Sequence, residues 1–128
     1  MRSVRVRDTA PELAVRRMLH ALGVRFRVRP TDLPGRPDIT NLRRRWCIFV
    51  HGCFWHGHSC WRGRLPKKNV AFWREKIASN QGRDTRAESD LLERGFRVLI
   101  VWQCELDDSE RLKRRFGKFF RYSPLREN

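Results

Sequence analysis

The stretch WCIFVHGCFWHGHSC, residues 46–60, joins an apolar run to a loop rich in thiols and imidazoles. The apolar run, residues 46–50, predicts a buried strand. Zinc prefers four nitrogen or sulfur ligands in a tetrahedron, and Cys53, His58 and Cys60 offer three from this loop. The sequence therefore predicts a metal site directly after a strand, although these side chains could instead be ordinary buried thiols with incidental histidines.

A second apolar run, residues 96–102, offers the fourth ligand. Cys104 follows this run as Cys53 follows the first, so adjacent strand ends could bring both thiols to one ion. Spacing alone also allows His56 to bind the metal in place of His58. Cys47 lies in mid-strand and is expected to be a small core residue.

The remaining elements follow from turn residues and apolar periodicity. Thr9 to Glu12 has the form of a capping box in which Glu12 reaches back to the cap, and it begins a helix ending near Leu22. Residues 24–29 alternate apolar with cationic side chains, which predicts a strand with an arginine face. That open face would carry Arg25, Arg27 and Arg29.

Further along the chain, residues 33–38 have turn composition and lead into a short strand near Ile39. Helical spacing predicts one stretch opening at Trp73 and Ile77, a second over about residues 83–94, and a last helix over about residues 109–120. This order of elements predicts one domain, residues 1–128, with an α/β sandwich around a central mixed sheet flanked by helices.

Composition narrows the class of function. The 128 residues include 29 Lys and Arg against 14 Asp and Glu, a formal net charge of +15, and 40% are hydrophobic. The chain should fold, and its charge favours a polyanionic partner, above all nucleic acid. The longest apolar runs, of which residues 98–102 are one, are too short to cross a membrane, and the first ten residues lack a secretion signal. A cytoplasmic, nucleoid-associated protein without a membrane partner is expected.

Several motifs together resemble the very-short-patch repair (Vsr) DNA mismatch endonuclease family. The segments LPGRPD (33–38), HGCFWHGHSC (51–60), FWREKI (72–77) and GFRVLIVW (95–102) carry the resemblance, which extends over nearly the whole chain. It implies a restriction-endonuclease-like fold, a structural zinc ion, and magnesium-dependent nicking of DNA beside the T of a T:G mismatch left by 5-methylcytosine deamination. Matched by motif, the zinc ligands are Cys53, His58, Cys60 and Cys104, the set that spacing also favours.

The same resemblance assigns a catalytic centre. Asp38 matches the first acid of restriction-type sites, where a carboxylate and a backbone carbonyl, here that of Val50, hold magnesium. His56 matches the general base, and an imidazole titrates near neutral pH. Glu12 and Asp84 match supporting acids near the active centre. Each acid also has a structural alternative, since Asp38 could cap its turn, Glu12 its helix, and Asp84 favour a helix dipole.

The resemblance also implies how DNA is bound. Phe54, Trp55 and Trp73 match an aromatic wedge that enters the base stack at the mismatch, although Trp73 could instead pack in the core with Ile77. Basic residues around the loop would contact phosphates; they are Arg36, Arg62, Arg64, Lys67, Lys68, Arg83 and Arg86. The N-terminal arm before the first helix is shorter than in many relatives, which leaves the flanking sequence preference open.

The sequence thus predicts a monomeric, strand-specific DNA mismatch endonuclease that acts on double-stranded DNA, with other mismatch-repair proteins as candidate partners. One alternative is a restriction-like nuclease with the same site and looser targeting. The other is a zinc-dependent DNA-binding module whose acidic residues are structural, and the presence of both Asp38 and His56 argues against it.

Overall fold

A mixed three-stranded sheet forms the centre of the computed structural model, which describes residues 8–28 and 32–121. The strand order is β1-β2-β3, with β1 antiparallel and β3 parallel to the central β2. The elements in chain order are α1 (Ala10–Ala21), β1 (Ile39–Asn41), β2 (Trp46–His51), α2 (Val70–Glu93), β3 (Arg97–Trp102) and α3 (Ser109–Arg121). Two 3-10 turns complete the described part, Trp61–Gly63 before α2 and Gln103–Asp107 after β3.

The parallel pairing of β2 with β3 decides where the functional loops meet. Val50 lies opposite Val101 and His51 opposite Trp102, so both strands end at the same edge of the sheet. Parallel strands need a long crossover, and α2 supplies it. The loop after β2 and the turn after β3 therefore start side by side, as expected from the two apolar runs.

Helices cover both faces of the sheet because β2 alternates between two apolar clusters. Trp46 and Ile48 point into the larger cluster, which α1 and α3 close. Cys47 and Phe49 point to the opposite face and pack with Leu91 of α2. Cys47 is fully buried, and burial raises the pKa of its thiol to about 12. The expectation of a core thiol at this position is confirmed.

The prediction of a strand over residues 24–29 is wrong for residues 24–28, which the structure describes. Only Arg27 pairs, through an isolated bridge to Thr40 with N–O distances of 2.8 and 2.9 Å. The carbonyl of Arg25 accepts instead from the side-chain amide of Asn41, at 3.1 Å. A ladder needs a partner of similar length, and β1 is too short to provide one. Arg29 lies outside the described residues.

Two helical segments were expected where the structure has the single helix α2. No proline interrupts residues 70–93, and the penalty for Gly82 in a helix interior is only about 1 kcal/mol. At α1, the Thr9 hydroxyl accepts from the Glu12 amide as expected, but the Glu12 carboxylate accepts from the amide of Asp8 at 2.8 Å, one residue before the cap. Within the described residues, no helix combines the length and apolarity needed to span a bilayer.

Candidate active site and metal centre

A cleft of about 650 Å³ lies beside the end of β2, between the N-terminus of α1 and the middle of α2. Its walls come from elements that are far apart in sequence and that the sheet brings together. All five residues expected at the catalytic centre line it, namely Glu12, Asp38, Val50, His56 and Asp84. The fold therefore gathers into one place the positions that sequence motifs had selected separately.

Asp38 stands just before β1 and faces β2. Its amide donates to the Ile48 carbonyl at 3.1 Å, which fixes the backbone, and its Oδ2 accepts from the Val50 amide at 2.7 Å. Burial raises the pKa of this carboxyl to about 7; the Val50 hydrogen bond opposes the shift and the nearby Glu12 adds to it. The Asp38 carboxylate thus accepts from the neighbouring strand β2, whereas an aspartate that caps a turn accepts from the backbone of that turn.

His56 is paired with Asp84 of α2. The distance from Nδ1 to the Asp84 Oδ2 is 2.6 Å, and both side chains are partly buried. With Nδ1 held by the carboxylate, Nε2 is the nitrogen left to exchange a proton with a molecule in the cleft. The arrangement is that of a histidine oriented by an acid, which suits general base chemistry.

His51 also lines the cleft, and the sequence predicts no role for it. It is 5% exposed, and its ring stacks on that of His56 with centroids 3.8 Å apart and planes 2° apart. Burial lowers the pKa of His51 to about 4, with the adjacent His56 adding to the effect and Asp84 opposing it. His51 is thus neutral at physiological pH. The only feature of the sequence that could have pointed to His51 is its position directly after the apolar run 46–50.

Donor atoms of His51, His56 and Asp84 all lie within 4.8 Å of one another. The two imidazole rings are nearly parallel, however, so their in-plane lone pairs point side by side and do not converge on one point. Metal coordination by both rings would require them to rotate out of the stack. The arrangement fits a proton-transfer pair supported by a neutral neighbour better than it fits a metal cage.

The second group of potential ligands comprises Cys53, His58, Cys60 and Cys104, whose donor atoms also lie within 4.8 Å of one another. Cys104 Sγ is 3.6 Å from Nδ1 of His58. Tetrahedral zinc bonds of about 2.3 Å to sulfur and 2.0–2.1 Å to nitrogen place those two atoms about 3.6 Å apart. The donor set and its spacing fit zinc. The alternative in which His56 replaces His58 is wrong, because His56 is held by Asp84 outside this group.

Four aromatic rings cluster where the loop after β2 meets the start of α2. Trp73 lies 5.3 Å from Phe54 and 5.7 Å from Trp55, centroid to centroid, in edge-on contacts. Phe72, which is 57% exposed, adds a fourth ring at 5.1 Å from Trp73. Trp73 therefore packs with the loop rings, whereas the buried Ile77 one turn later faces the interior. We call these four rings the aromatic cluster.

Polar side chains of α2 hold the loop that carries the cluster and His56. The Asn80 amide donates to the Trp55 carbonyl at 2.9 Å, and the Gln81 amide donates to the carbonyls of His56 and Gly57 at 3.3 Å. Gly57 has a φ of +65°, and a Cβ added there would lie 2.4 Å from the Gln81 amide nitrogen. Helix and loop are thus packed too closely for a larger residue.

The basic residues expected to contact phosphates are spread around this region. Arg36 and Arg83 line the cleft, and Arg62 is paired with Asp107 at 2.8 Å. Six of the seven are exposed, namely Arg36, Arg64, Lys67, Lys68, Arg83 and Arg86. The position of Arg36 and Arg83 at the cleft fits an extended anionic ligand.

Comparisons with known proteins identify the family of the chain. A family model described as DNA mismatch endonuclease Vsr matches residues 1–62. The type II nicking enzyme V.XorIIP of Xanthomonas oryzae pv. oryzae is 52% identical, with 90% of this chain and 85% of that protein covered. The DNA mismatch endonuclease Vsr of Escherichia coli is 47% identical, with 88% and 72% covered.

Among solved structures, the catalytic domain of the homing endonuclease I-Bth0305I has a TM-score of 0.63 at 23% identity, covering 91% of this chain and 99% of that domain. This likeness concerns the fold alone and agrees with a restriction-endonuclease-like sandwich of a mixed sheet and flanking helices. The family is shown instead by the identities of 52% to V.XorIIP and 47% to the Vsr endonuclease of Escherichia coli. The chain belongs to the Vsr family of DNA mismatch endonucleases.

Proposed function

We propose that this protein nicks one strand of duplex DNA 5′ to the mismatched T of a T:G pair, the product of 5-methylcytosine deamination. The reaction hydrolyses one phosphodiester and leaves a 5′-phosphate and a 3′-hydroxyl. The observation that carries the proposal is the convergence of Asp38, the Val50 backbone and the His56–Asp84 pair in one cleft.

Magnesium is the proposed catalytic cofactor, with the Asp38 carboxylate and the Val50 carbonyl as its protein ligands. This donor set suits the ion, because magnesium prefers oxygen and often takes only one or two protein ligands. When bound, the ion would stabilise the negative charge that develops on the phosphate. Glu12 lines the cleft together with Asp38, and its proposed role is to hold a water molecule.

His56 is the proposed general base. Its Nε2 takes a proton from the attacking water while Asp84 stabilises the resulting imidazolium through Nδ1. The water oxygen bonds to phosphorus as the bond from phosphorus to the 3′ oxygen breaks. That oxygen leaves as a hydroxyl after taking a proton from solvent. Neutral His51 keeps a second positive charge away from the ring of His56.

Zinc is the proposed structural cofactor, bound by Cys53, His58, Cys60 and Cys104. It would join the loop after β2 to the turn after β3, and so hold His56 near Asp84. Metal analysis of the purified protein tests this assignment. One zinc per chain is expected, and a variant with Cys104→Ser should lose most of it, whereas Cys47→Ser should keep it.

The aromatic cluster is the proposed wedge, with Phe54, Trp55 and Trp73 entering the stack beside the mismatch. Unstacking costs less at a mismatched pair than in paired duplex, so such a wedge selects the damaged site. One proposed catalytic cleft and one proposed wedge, both among the described residues, suit a monomer that cuts a single strand. We expect it to act at the nucleoid, where other mismatch-repair proteins could work beside it.

The decisive experiment measures nicking of a labelled duplex with one T:G pair beside the same duplex with T:A, with and without magnesium. Wild type, Asp38→Ala and the matched surface variant Asp90→Ala are compared. A magnesium-dependent nick in the T:G duplex alone, lost only in Asp38→Ala, is the expected result. Equal cutting of both duplexes would favour the loosely targeted nuclease. Binding without cutting would favour the zinc-dependent binding module.

A further inference from the structure

Trp61 is the most exposed large apolar side chain in the described part of the protein, at 67%. It begins the 3-10 turn Trp61–Gly63, directly after the potential metal ligand Cys60. Tryptophan is usually buried over most of its surface. The aromatic cluster does not include Trp61, since the ring contacts of the described residues do not join it to any of those four rings.

The Trp61 ring is held in place although it is exposed. The guanidinium of Arg62 lies 4.6 Å from the ring centroid, a cation–π contact. Arg62 in turn donates to both carboxylate oxygens of Asp107, at 2.8 and 3.4 Å. Because these contacts restrict the ring before any partner arrives, binding through it loses little side-chain entropy.

The turn is also anchored to the potential metal centre. The amide of Gly63 donates to the Cys60 carbonyl at 3.0 Å. A Cβ added at Gly63 would lie 1.9 Å from the His58 carbonyl oxygen, so only glycine allows this approach. Asp107 ends the turn that follows β3. Trp61 therefore lies beyond the ends of β2 and β3, on the same loop that carries His56.

The charge around Trp61 indicates the chemistry of its partner. No acidic residue occurs between Asp38 and Glu75 in the sequence, whereas Arg64, Lys67 and Lys68 follow Trp61 closely and are exposed. Asp107 is paired with Arg62, and the other charged residues near Trp61 in sequence are cations. An exposed aromatic ring in a cationic segment matches a nucleic-acid backbone, which presents phosphates beside apolar sugar faces.

We propose that Trp61, held by Arg62 and Asp107, is a second aromatic contact to DNA that packs on the sugar–phosphate backbone of the duplex flanking the mismatch. The inference rests on the proposed function only in taking duplex DNA as the ligand. Because the contact lies outside the aromatic cluster, it supports binding to matched and mismatched duplexes alike and leaves the chemical step unchanged.

The first test compares the dissociation constants of Trp61→Ala, Trp61→Phe and wild type for T:G and T:A duplexes, by fluorescence anisotropy. Trp61→Ala should bind both duplexes about tenfold more weakly, Trp61→Phe should lose less, and kcat at saturating DNA should stay unchanged. Leu92→Ala, which truncates another exposed apolar side chain, is the control. Zinc content and melting temperature are measured for each variant.

The second test uses the wild-type protein and so does not depend on how the variants fold. Hydroxyl-radical oxidation is mapped by tandem mass spectrometry with and without the T:A duplex. Tryptic cleavage leaves Trp61 on the same peptide as Phe54 and Trp55, so fragmentation must locate the modification. Trp61 should be protected by DNA several-fold, and Leu92 should not.

Unchanged oxidation of Trp61, or equal affinity of Trp61→Ala and wild type with their metal retained, would overturn the proposal. If Trp61→Ala loses its metal, the protection of Trp61 from oxidation in the DNA-bound wild type decides whether Trp61 contacts DNA. Failure of the wild type to nick the T:G duplex would refute the proposed function and leave these binding measurements interpretable.

Discussion

Asp38 is proposed to bind magnesium as a carboxylate, but its ionised form destabilises the metal-free fold. Its carboxyl is largely buried against β2, and burial raises its pKa to about 7. A cation in the cleft would favour the ionised form, whereas the protein without magnesium favours the protonated form. The residue proposed to bind the ion is thus one whose anionic form is disfavoured in the metal-free fold.

The stability of the protein should therefore respond to Asp38→Asn. Because the folded pKa is raised above the unfolded value, the stabilising contribution is full below about pH 4 and is lost as pH rises through 7. Asn can still accept from the Val50 amide and cannot ionise. At pH 8, without magnesium, the variant should be more stable by up to about 4 kcal/mol. Urea unfolding of the zinc-loaded proteins measures this difference.

The same variant should fail to nick DNA, because an amide is a poor magnesium ligand. At pH 4 the two proteins should unfold at the same urea concentration. A variant less stable than wild type at pH 8 would mean that the buried carboxylate is stabilised by charges rather than penalised by burial.

Asp84 should act through the His56 ring. Asp84→Asn keeps the size of the side chain but removes the charge that stabilises the imidazolium, and an amide can hold the ring in the wrong tautomer. The expected effect is a fall in kcat of about 10²- to 10⁴-fold with little change in DNA affinity. Single-turnover nicking across pH 6–9 measures it. The matched control is Glu88→Gln, which changes another α2 carboxylate lining the cleft. A similar loss in both variants would contradict a specific role for Asp84.

At the scale of elements, α2 and the loop after β2 form one unit. Ile77 and Gln81 of α2 lie so close to Gly57 that an added Cβ would be 2.6 and 2.4 Å from their side chains. The same loop is held by hydrogen bonds from Asn80. The unbroken helix therefore does more than connect two strands, because it positions the loop that carries His56.

This packing predicts the effect of Gly57→Ala. Gly95→Ala is the matched control, because Gly95 has a φ of +87° with open space around it. The control should lose only about 1 kcal/mol of folding stability, which is the cost of placing alanine in a left-handed backbone conformation. Gly57→Ala should lose clearly more stability and also much of its nicking rate, because the loop must shift. Urea unfolding and single-turnover assays compare the two variants. Equal stability losses would show that Gln81 moves aside at no cost.

At the scale of the whole molecule, net charge controls DNA affinity. With a formal charge of +15 and exposed cations around the cleft, many phosphate contacts are expected. For about six to ten contacts, affinity for a matched duplex should fall about 10³- to 10⁵-fold between 50 and 200 mM salt.

Titrations at several salt concentrations measure this slope. Replacing Arg36 and Arg83 together by alanine should reduce it by about two, because both line the cleft, whereas replacing Arg17 and Arg94 should change it less, since neither lines the cleft. A slope near zero for the wild type would contradict a phosphate-dominated interface.

Features that depend on local pattern and on residue type could be predicted from the sequence. Apolar runs predicted β2 and β3, the cap residue and periodicity predicted α1, and the ligand types of the loop predicted the Cys and His group. These signals are readable because strand burial, helix capping and metal affinity are properties of neighbouring residues.

Features that need a partner distant in the chain could not be predicted in this way. Residues 24–28 alternate like a strand yet lack a long enough neighbour, since β1 is short. The pKa of His51 is lowered because the side chain is buried, and its ring stacks on that of His56. Asp38 acquired its raised pKa from burial against β2. Hydrogen-bond partners, desolvation and ring contacts arise only when the sheet brings remote segments together, so no local pattern encodes them.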